Sequence, residues 1–174
     1  MHRILYIFIL LTFISFFISG CSENTKKKAI LEGIGKNFPY QFPKEDSCCR
    51  YMILRYVENP SCSSCQLKLG IWRVYYRKLK NKYGNQIGMH FIIRTNRVKE
   101  TNHLLDMYGF YEKSSVDSIF DLYSILELDP ILGSDITILL DDNNKIIGFG
   151  NPCEDIKIDS LFHQIFEKAL LNQN

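Results

Sequence analysis

The chain is poor in the residues that mark linkers and disordered segments. Its 174 residues include 5 prolines and 10 glycines, whereas 13% of them are aromatic. This composition predicts a packed core and excludes a repetitive or low-complexity protein. Lysine and arginine outnumber aspartate and glutamate by only 2, so the charge balance gives no indication of nucleic-acid binding. A glycine-rich phosphate loop and a serine–histidine–acid arrangement are also missing.

The spacing expected of a zinc site is missing as well. Structural zinc usually draws its ligands from two closely spaced pairs. The chain has a single CxxC, Cys62-Ser63-Ser64-Cys65. The adjacent Cys48 and Cys49 would point to opposite sides of a strand and would be poor co-ligands. We therefore predict no metal site and no cofactor beyond a redox-active disulfide.

The one long hydrophobic run lies at the N-terminus. It extends from Ile4 to Ile18, which suits a signal peptide and is short for a bilayer span. The run closes with Ile18-Ser19-Gly20-Cys21, which resembles a bacterial lipobox. We predict a lipoprotein signal peptide at residues 1–20, lipidation of Cys21, and a tether at residues 21–28. The alternative is an uncleaved anchor helix, and both place residues 29–174 outside the cytoplasm on a membrane.

The residues around the CxxC predict a strand followed by a helix. The strand is predicted over Cys49–Val57, Pro60 stops it, and Ser61 can cap a helix over Cys62–Tyr83. Apolar side chains recur in this helix at steps of four and three, at Cys65, Leu69, Trp72, Tyr76, Leu79 and Tyr83. This seam would bury Cys65 and leave Cys62 nearer the surface.

The pattern of the remaining sequence predicts that strands and helices continue to alternate. A second strand over Ile87–Arg94 would pair in parallel with the first, because a helix joins them. The remaining predicted elements are a helix over Arg97–Tyr108, a hairpin over Ile136–Phe149, and a last helix capped by Asp159 or Ser160. A short strand at 115–117 and a short helix at 119–126 are less clearly marked. The predicted class is α/β, in the order βαβα-ββα with a mixed central sheet.

The CxxC is chemically suited to thiol–disulfide exchange. Two thiols three residues apart on the first turn of a helix can close a disulfide without unwinding it. The partial positive charge of a helix N-terminus favours the thiolate form of the first cysteine, Cys62. A peroxiredoxin-type peroxidase would need threonine three residues before Cys62, and Asn59 stands there.

Three stretches resemble the thioredoxin fold, in the membrane-tethered bacterial branch called TlpA-like or redoxin-like. They are Ile34–Pro39, Ser61–Leu69 and Leu139–Pro152, and they spread the resemblance from about residue 29 to the C-terminus. The resemblance implies a three-layer fold over residues 29–174. It also implies that Cys62 attacks a substrate disulfide and Cys65 resolves the mixed disulfide, with Ser63 and Ser64 tuning the potential. The implied partners are disulfide-bearing extracytoplasmic proteins and a membrane thiol reductase.

The chain departs from that family at two places. Thioredoxins carry a cis-proline at the start of the first hairpin strand, where this chain has Asp135. A cis bond without proline costs about 2.5 to 4 kcal/mol, so we expect Asp135 to be trans. The buried acid of thioredoxins falls at Tyr56, and Glu58 is either its substitute or a turn residue.

The other cysteines leave two interpretations open. Once Cys21 is assigned to lipid, five cysteines remain, so at least one thiol is free or pairs transiently. Cys153 would form a structural disulfide with Cys48 or Cys49, or the three would act as a second redox relay.

Two functions from different classes follow. The first is a lipid-anchored thiol–disulfide oxidoreductase at the periplasm or cell surface. The second is a non-catalytic binding or assembly module in which Cys62–Cys65 is a permanent structural disulfide.

Overall fold

Residues 25–40, 42, 49–58, 67–127 and 132–171 are described by the computed structural model, with side chains to residue 168. They form a five-stranded mixed sheet with helices on both faces. The α/β class predicted from the sequence is confirmed. Within this described part of the chain, no helix is both long and apolar enough to cross a membrane.

The elements follow one another in a βα order that ends in a hairpin and a helix. In chain order they are α1 (25–33), β1 (Tyr51–Glu58), α2 (Leu69–Tyr83), β2 (Ile87–Arg94), α3 (Val98–Met107), β3 (Ser114–Asp117), α4 (Leu122–Leu126), β4 (Asp135–Leu140), β5 (Ile146–Phe149) and α5 (Ile156–Leu171). The short strand and short helix that were only weakly marked in the sequence are therefore both present, as β3 and α4.

Strand β1 lies at the centre of the sheet, whose order is β3-β2-β1-β4-β5. It pairs in parallel with β2, as the helical connection predicts, and antiparallel with β4. Strand β3 extends the parallel side by pairing with β2. At the hairpin, Asn144 adopts a φ of 57°, and the Asp141 carboxylate accepts hydrogen bonds from two backbone N–H groups of the turn. The sequence prediction of an Asp- and Asn-based turn is thus confirmed.

Helix α2 differs from the predicted helix at its start. Lys68 has φ 48° and ψ 35°, a left-handed conformation that interrupts the helix predicted to run unbroken from Cys62. The regular helix begins at Leu69, and the Lys68 carbonyl accepts its first hydrogen bonds, from Ile71 and Trp72. The far end is as predicted, because Gly84 with φ 60° provides the C-cap.

Helix α5 begins earlier than predicted. The expectation that Asp159 or Ser160 caps it is wrong, because the helix starts at Ile156. The Asp155 carboxylate accepts the backbone N–H of Lys157 and supplies the cap. Asp159 instead accepts a hydrogen bond from the Tyr75 hydroxyl, at 2.9 Å, and so ties α5 to α2.

The sheet separates two hydrophobic clusters. On one face, Leu54 and Tyr56 of β1 pack in a cluster with residues of α1 and α4, among them Ala29, Leu122 and Leu126. On the other face, Ile53 and Val57 pack in a cluster with residues of α2, α3 and α5, among them Trp72, Leu105 and Phe162. Successive residues of β1 therefore pack alternately against the helices on the two faces of the sheet.

Trp72 anchors α2 to the sheet. It is fully buried, with its ring edge-on to Phe91 at 6.3 Å between centroids. We expect Trp72→Ala to lower the free energy of unfolding by about 3 to 5 kcal/mol, because it removes a large core side chain. The neighbouring Ile71→Ala is a matched control, since Ile71 is 53% exposed and should change stability by at most about 0.5 kcal/mol. Urea unfolding followed by circular dichroism measures both, and equal losses would contradict this account.

Candidate thiol–disulfide site

The end of β1 and the start of β4 meet at one edge of the sheet. Val57 lies opposite Asp135 in the antiparallel pairing, and the Glu58 N–H donates to the Ser134 carbonyl at 2.7 Å. The segment that carries the CxxC, residues 59–66, joins Glu58 to Leu67. Asp135 therefore lies beside the strand end from which this segment departs.

The predicted reactive residues belong to that segment. Cys62, Ser63, Ser64 and Cys65 lie outside the described residues, as do Cys21 and Cys48. Their roles stay predictions. The described residues that flank the segment along the chain are Glu58, at the end of β1, and Leu67, two residues before α2.

Asp135 has a trans peptide bond, as expected for a residue other than proline. Its carboxylate forms an ion pair with Arg55 of the neighbouring strand β1. Arg55 Nη2 donates to Asp135 Oδ2 at 2.5 Å, while Arg55 Nη1 lies 3.3 Å from the Thr137 hydroxyl. The Asp135 side chain is 38% exposed, so it joins a buried cation to the surface at the start of β4.

Arg55 is the residue that sequence reasoning missed. It is fully buried in the central strand, and its guanidinium lies over the Trp72 ring, 5.1 Å from the ring centroid. The signal was a single charge in an otherwise apolar strand, Tyr51–Val57, since a fully buried arginine is rarely found without a partner. Identifying that partner required the register of β1 against β4.

The partners of this ion pair are unequally buried, which predicts an asymmetric effect of mutation. Asp135→Ala leaves a buried guanidinium without its carboxylate, and we expect it to cost about 3 to 5 kcal/mol of unfolding free energy. Arg55→Met should cost less, because methionine fills much of the volume and Asp135 can hydrate. Glu154→Ala is the control, because Glu154 forms a half-exposed pair with Lys68 and its loss should change little. Urea unfolding measures the free energy of unfolding of the three variants. A larger loss of stability for Arg55→Met than for Asp135→Ala would contradict the predicted order.

A groove of about 320 Å³ opens next to Asp135. Apolar side chains from α1 and the sheet form part of its wall, and Asp135, Thr137 and Glu154 supply polar groups. Gly150, with φ 124°, lines the groove, and its N–H donates to the Thr137 carbonyl. This groove therefore lies at the end of the sheet where β4 starts, next to the end of β1.

Solved structures with the same arrangement are found by structural comparison. A domain of a possible thiol-disulfide isomerase from Cytophaga hutchinsonii aligns with a TM-score of 0.56 and 16% identity, over 80% of this chain and 96% of that one. A candidate thiol:disulfide interchange protein DsbE from Chlorobium tepidum aligns with a TM-score of 0.54 and 14% identity, over 76% and 97%. The fold is thioredoxin-like. Neither family models nor curated proteins give a match to this chain.

A third structure covers the same region of the fold. The C-terminal domain of a candidate thiol-disulfide oxidoreductase from Bacteroides thetaiotaomicron has a TM-score of 0.53 and 16% identity, over 79% of this chain and 99% of that one. At identities this low the comparisons establish the fold. The chemistry of this chain must be argued from its own residues.

The predicted position of the buried acid of thioredoxins is Tyr56, and Glu58 is its predicted substitute or a turn residue. Tyr56 is fully buried, and its hydroxyl donates to the Phe120 carbonyl at 3.3 Å. Burial raises the pKa of Tyr56, so the phenol stays protonated and is a poor proton acceptor at neutral pH. Glu58 Oε1 accepts a hydrogen bond from Arg94 at 2.7 Å, which commits this carboxylate to an ion pair.

Of the cysteines outside the CxxC, Cys49 and Cys153 belong to the described residues. No disulfide joins these two residues. Cys153 packs against the cluster on the α2 face of the sheet, beside Pro152 and Tyr75. The pairing of Cys153 with Cys48 and the second redox relay both stay predictions.

Cys153 should be chemically inert when it is reduced. Burial raises the pKa of its thiol from 9.0 to about 12. At pH 8 this leaves about 1000-fold less thiolate than an ordinary cysteine has, and the thiolate is the form that alkylates. In the native reduced protein, mass spectrometry of iodoacetamide-treated samples should therefore show Cys153 labelled last. Unfolding in urea should restore ordinary reactivity, and rapid labelling of the folded protein would contradict the prediction.

Proposed function

We propose that this protein is a lipid-anchored, extracytoplasmic thiol–disulfide oxidoreductase that acts through Cys62 and Cys65. Its lipid would be attached at Cys21, and the domain would face the periplasm or the cell surface. The observation that carries the proposal is the thioredoxin-like fold, in which the CxxC segment connects the central strand β1 to α2. A segment at that junction is followed by a long helix packed on the sheet, which is a rigid support for redox chemistry.

The proposed reaction moves two electrons from the dithiol to a substrate disulfide. The Cys62 thiolate attacks one substrate sulfur, forms a mixed disulfide and releases the other sulfur as a thiolate. The Cys65 thiolate then attacks the Cys62 sulfur, which releases the second substrate thiolate and closes the Cys62–Cys65 disulfide. A membrane thiol reductase would return the pair to its dithiol form. Ser63 and Ser64, between the two thiols, would influence the potential.

Among the described residues, Asp135 and Glu58 are the two for which we propose an influence on this chemistry. The start of β4 is held by the ion pair between Arg55 and Asp135, and so keeps a fixed position beside the end of β1. A fixed β4 start would present a constant edge to a substrate polypeptide. Glu58, four residues before Cys62, would act on the thiols through its charge, which Arg94 partly offsets.

The second candidate is a non-catalytic binding module with a permanent Cys62–Cys65 disulfide. Two observations favour it. The Ser134 carbonyl, next to Asp135, already accepts the Glu58 N–H and extends the sheet. Tyr56, at the position of the buried acid, is a protonated phenol instead of a carboxylate. Both features would weaken substrate binding and proton transfer of the thioredoxin type.

The reduction potential of the Cys62–Cys65 pair tests the proposal. The full chain is equilibrated in thiol redox buffers, alkylated and analysed by mass spectrometry. We expect a reversible couple between about −120 and −270 mV, the range of known exchangers. A potential below about −300 mV would indicate a structural disulfide and would favour the binding module.

Two single variants distinguish the roles of the two thiols. Cys62→Ser should abolish disulfide exchange, whereas Cys65→Ser should accumulate mixed disulfides because the resolving thiol is gone. Ser63→Ala leaves both thiols in place and serves as the control. Full disulfide-reductase activity in Cys62→Ser would overturn the proposed mechanism.

A further inference from the structure

Helix α1 exposes apolar side chains on the face that points away from the core. Ala29 is 3% exposed and packs against the sheet, together with the partly buried Ile30. On the outer side, Leu31 is 64% exposed, and Ile34, which directly follows the helix, is 42% exposed. A helix that only covers a sheet would place polar residues at these positions.

The same outer face is basic. Lys27 and Lys28 are exposed there, and Lys27 lies one helical turn before Leu31, whereas Lys26 lines the groove beside Asp135 with Ile30. The Glu32 carboxylate lies 3.7 Å from Lys28 Nζ, so it offsets one of the two positive charges of this face. Among the described residues, no ion pair involves Lys26 or Lys27. Cations beside outward apolar side chains are typical of helices that lie at an anionic lipid surface.

The chain length before α1 keeps this helix close to the predicted anchor. Thr25, the first described residue, follows Cys21 by four residues. Four residues span at most about 14 Å, even when fully extended. A lipid on Cys21 would therefore hold the lysines within reach of the headgroups, where each basic residue adds to the attraction of anionic lipid.

We propose that the outer face of α1, formed by Lys27, Lys28 and Leu31 and continued by Ile34 just after the helix, is a docking surface for anionic lipid headgroups. The contact uses Coulomb attraction for the lysines and shallow burial for the two apolar side chains. Two apolar residues are too few for stable insertion, so the contact depends on the tether and orients the domain.

Docking in this way would fix which side of the domain faces outward. Helices α1 and α4 cover the same face of the sheet, and α4 adds Ile125, which is 44% exposed. Helices α2, α3 and α5 cover the opposite face. If the CxxC acts as proposed, α2 would then lie on the side of the sheet turned away from the lipid.

Tryptophan fluorescence can test this contact in the full chain. The protein is reconstituted into phosphatidylcholine vesicles with and without phosphatidylglycerol. The single natural tryptophan, Trp72, is fully buried and provides a constant background. The Leu31→Trp variant reports on the proposed surface. The Met107→Trp variant on α3 is the matched control, because Met107 is 62% exposed and α3 covers the opposite face.

We expect the added emission of the Leu31→Trp variant to shift to the blue in anionic vesicles and to be quenched there by acyl-brominated lipids. The added emission of the Met107→Trp variant should stay unchanged. Replacing Lys27 and Lys28 by Gln should lower the docking equilibrium of the Leu31→Trp variant about 30-fold. Ile34→Trp repeats the measurement if Leu31→Trp folds poorly.

Three results would overturn the proposal. The first is emission from the Leu31→Trp variant that brominated lipid does not quench, and the second is equal quenching of it with and without phosphatidylglycerol. The third is quenching of the Met107→Trp variant in place of the Leu31→Trp variant. The reduction potential of Cys62–Cys65 is measured separately, so failure of lipid docking and failure of the redox function are distinguishable.

Discussion

The pairing of β1 with β2 on one side and with β4 on the other is the constraint on which the rest of the structure depends. It sets the end of β1 beside the start of β4, and so gathers Val57, Glu58, Ser134 and Asp135 at one edge. It also places Arg55 in the middle of the sheet, where a charge is tolerated only with a partner. The β4 register supplies that partner as Asp135.

If Asp135 stands at the position of the thioredoxin cis-proline, as the sequence predicts, this ion pair gives that position a different physical basis. A cis-proline fixes the backbone covalently, through its restricted peptide geometry. Here a trans peptide is held by a side-chain contact from the neighbouring strand and by the Glu58 N–H, which bonds to the Ser134 carbonyl. The two solutions present different groups to a bound polypeptide. This is why the redox enzyme and the binding module are both reasonable functions for the same fold.

The domain also has two chemically distinct sides. The α1 side carries exposed lysines, leucine and isoleucine close to the predicted anchor, whereas α2 continues from the CxxC segment on the other face of the sheet. The groove beside Asp135 meets α1 through Lys26 and Ile30, whereas the proposed lipid surface uses Lys27, Lys28 and Leu31 on the outer side of the same helix. The two proposals are therefore compatible, although each stands on separate residues.

The sequence by itself determined the elements whose signals are local. Hydrophobic spacing identified α2 and β2, glycine identified the end of α2, and the Asp-Asn turn identified the hairpin, because each depends on neighbours within a few residues. Lys68 and the start of α5 were mispredicted, since a left-handed residue and a cap at Asp155 leave weak sequence signals. Only the tertiary structure decided the Arg55–Asp135 pair and the outward orientation of Leu31. Both depend on which side chains meet across 80 residues of chain, or on which face of a helix the sheet covers, and local pattern contains neither.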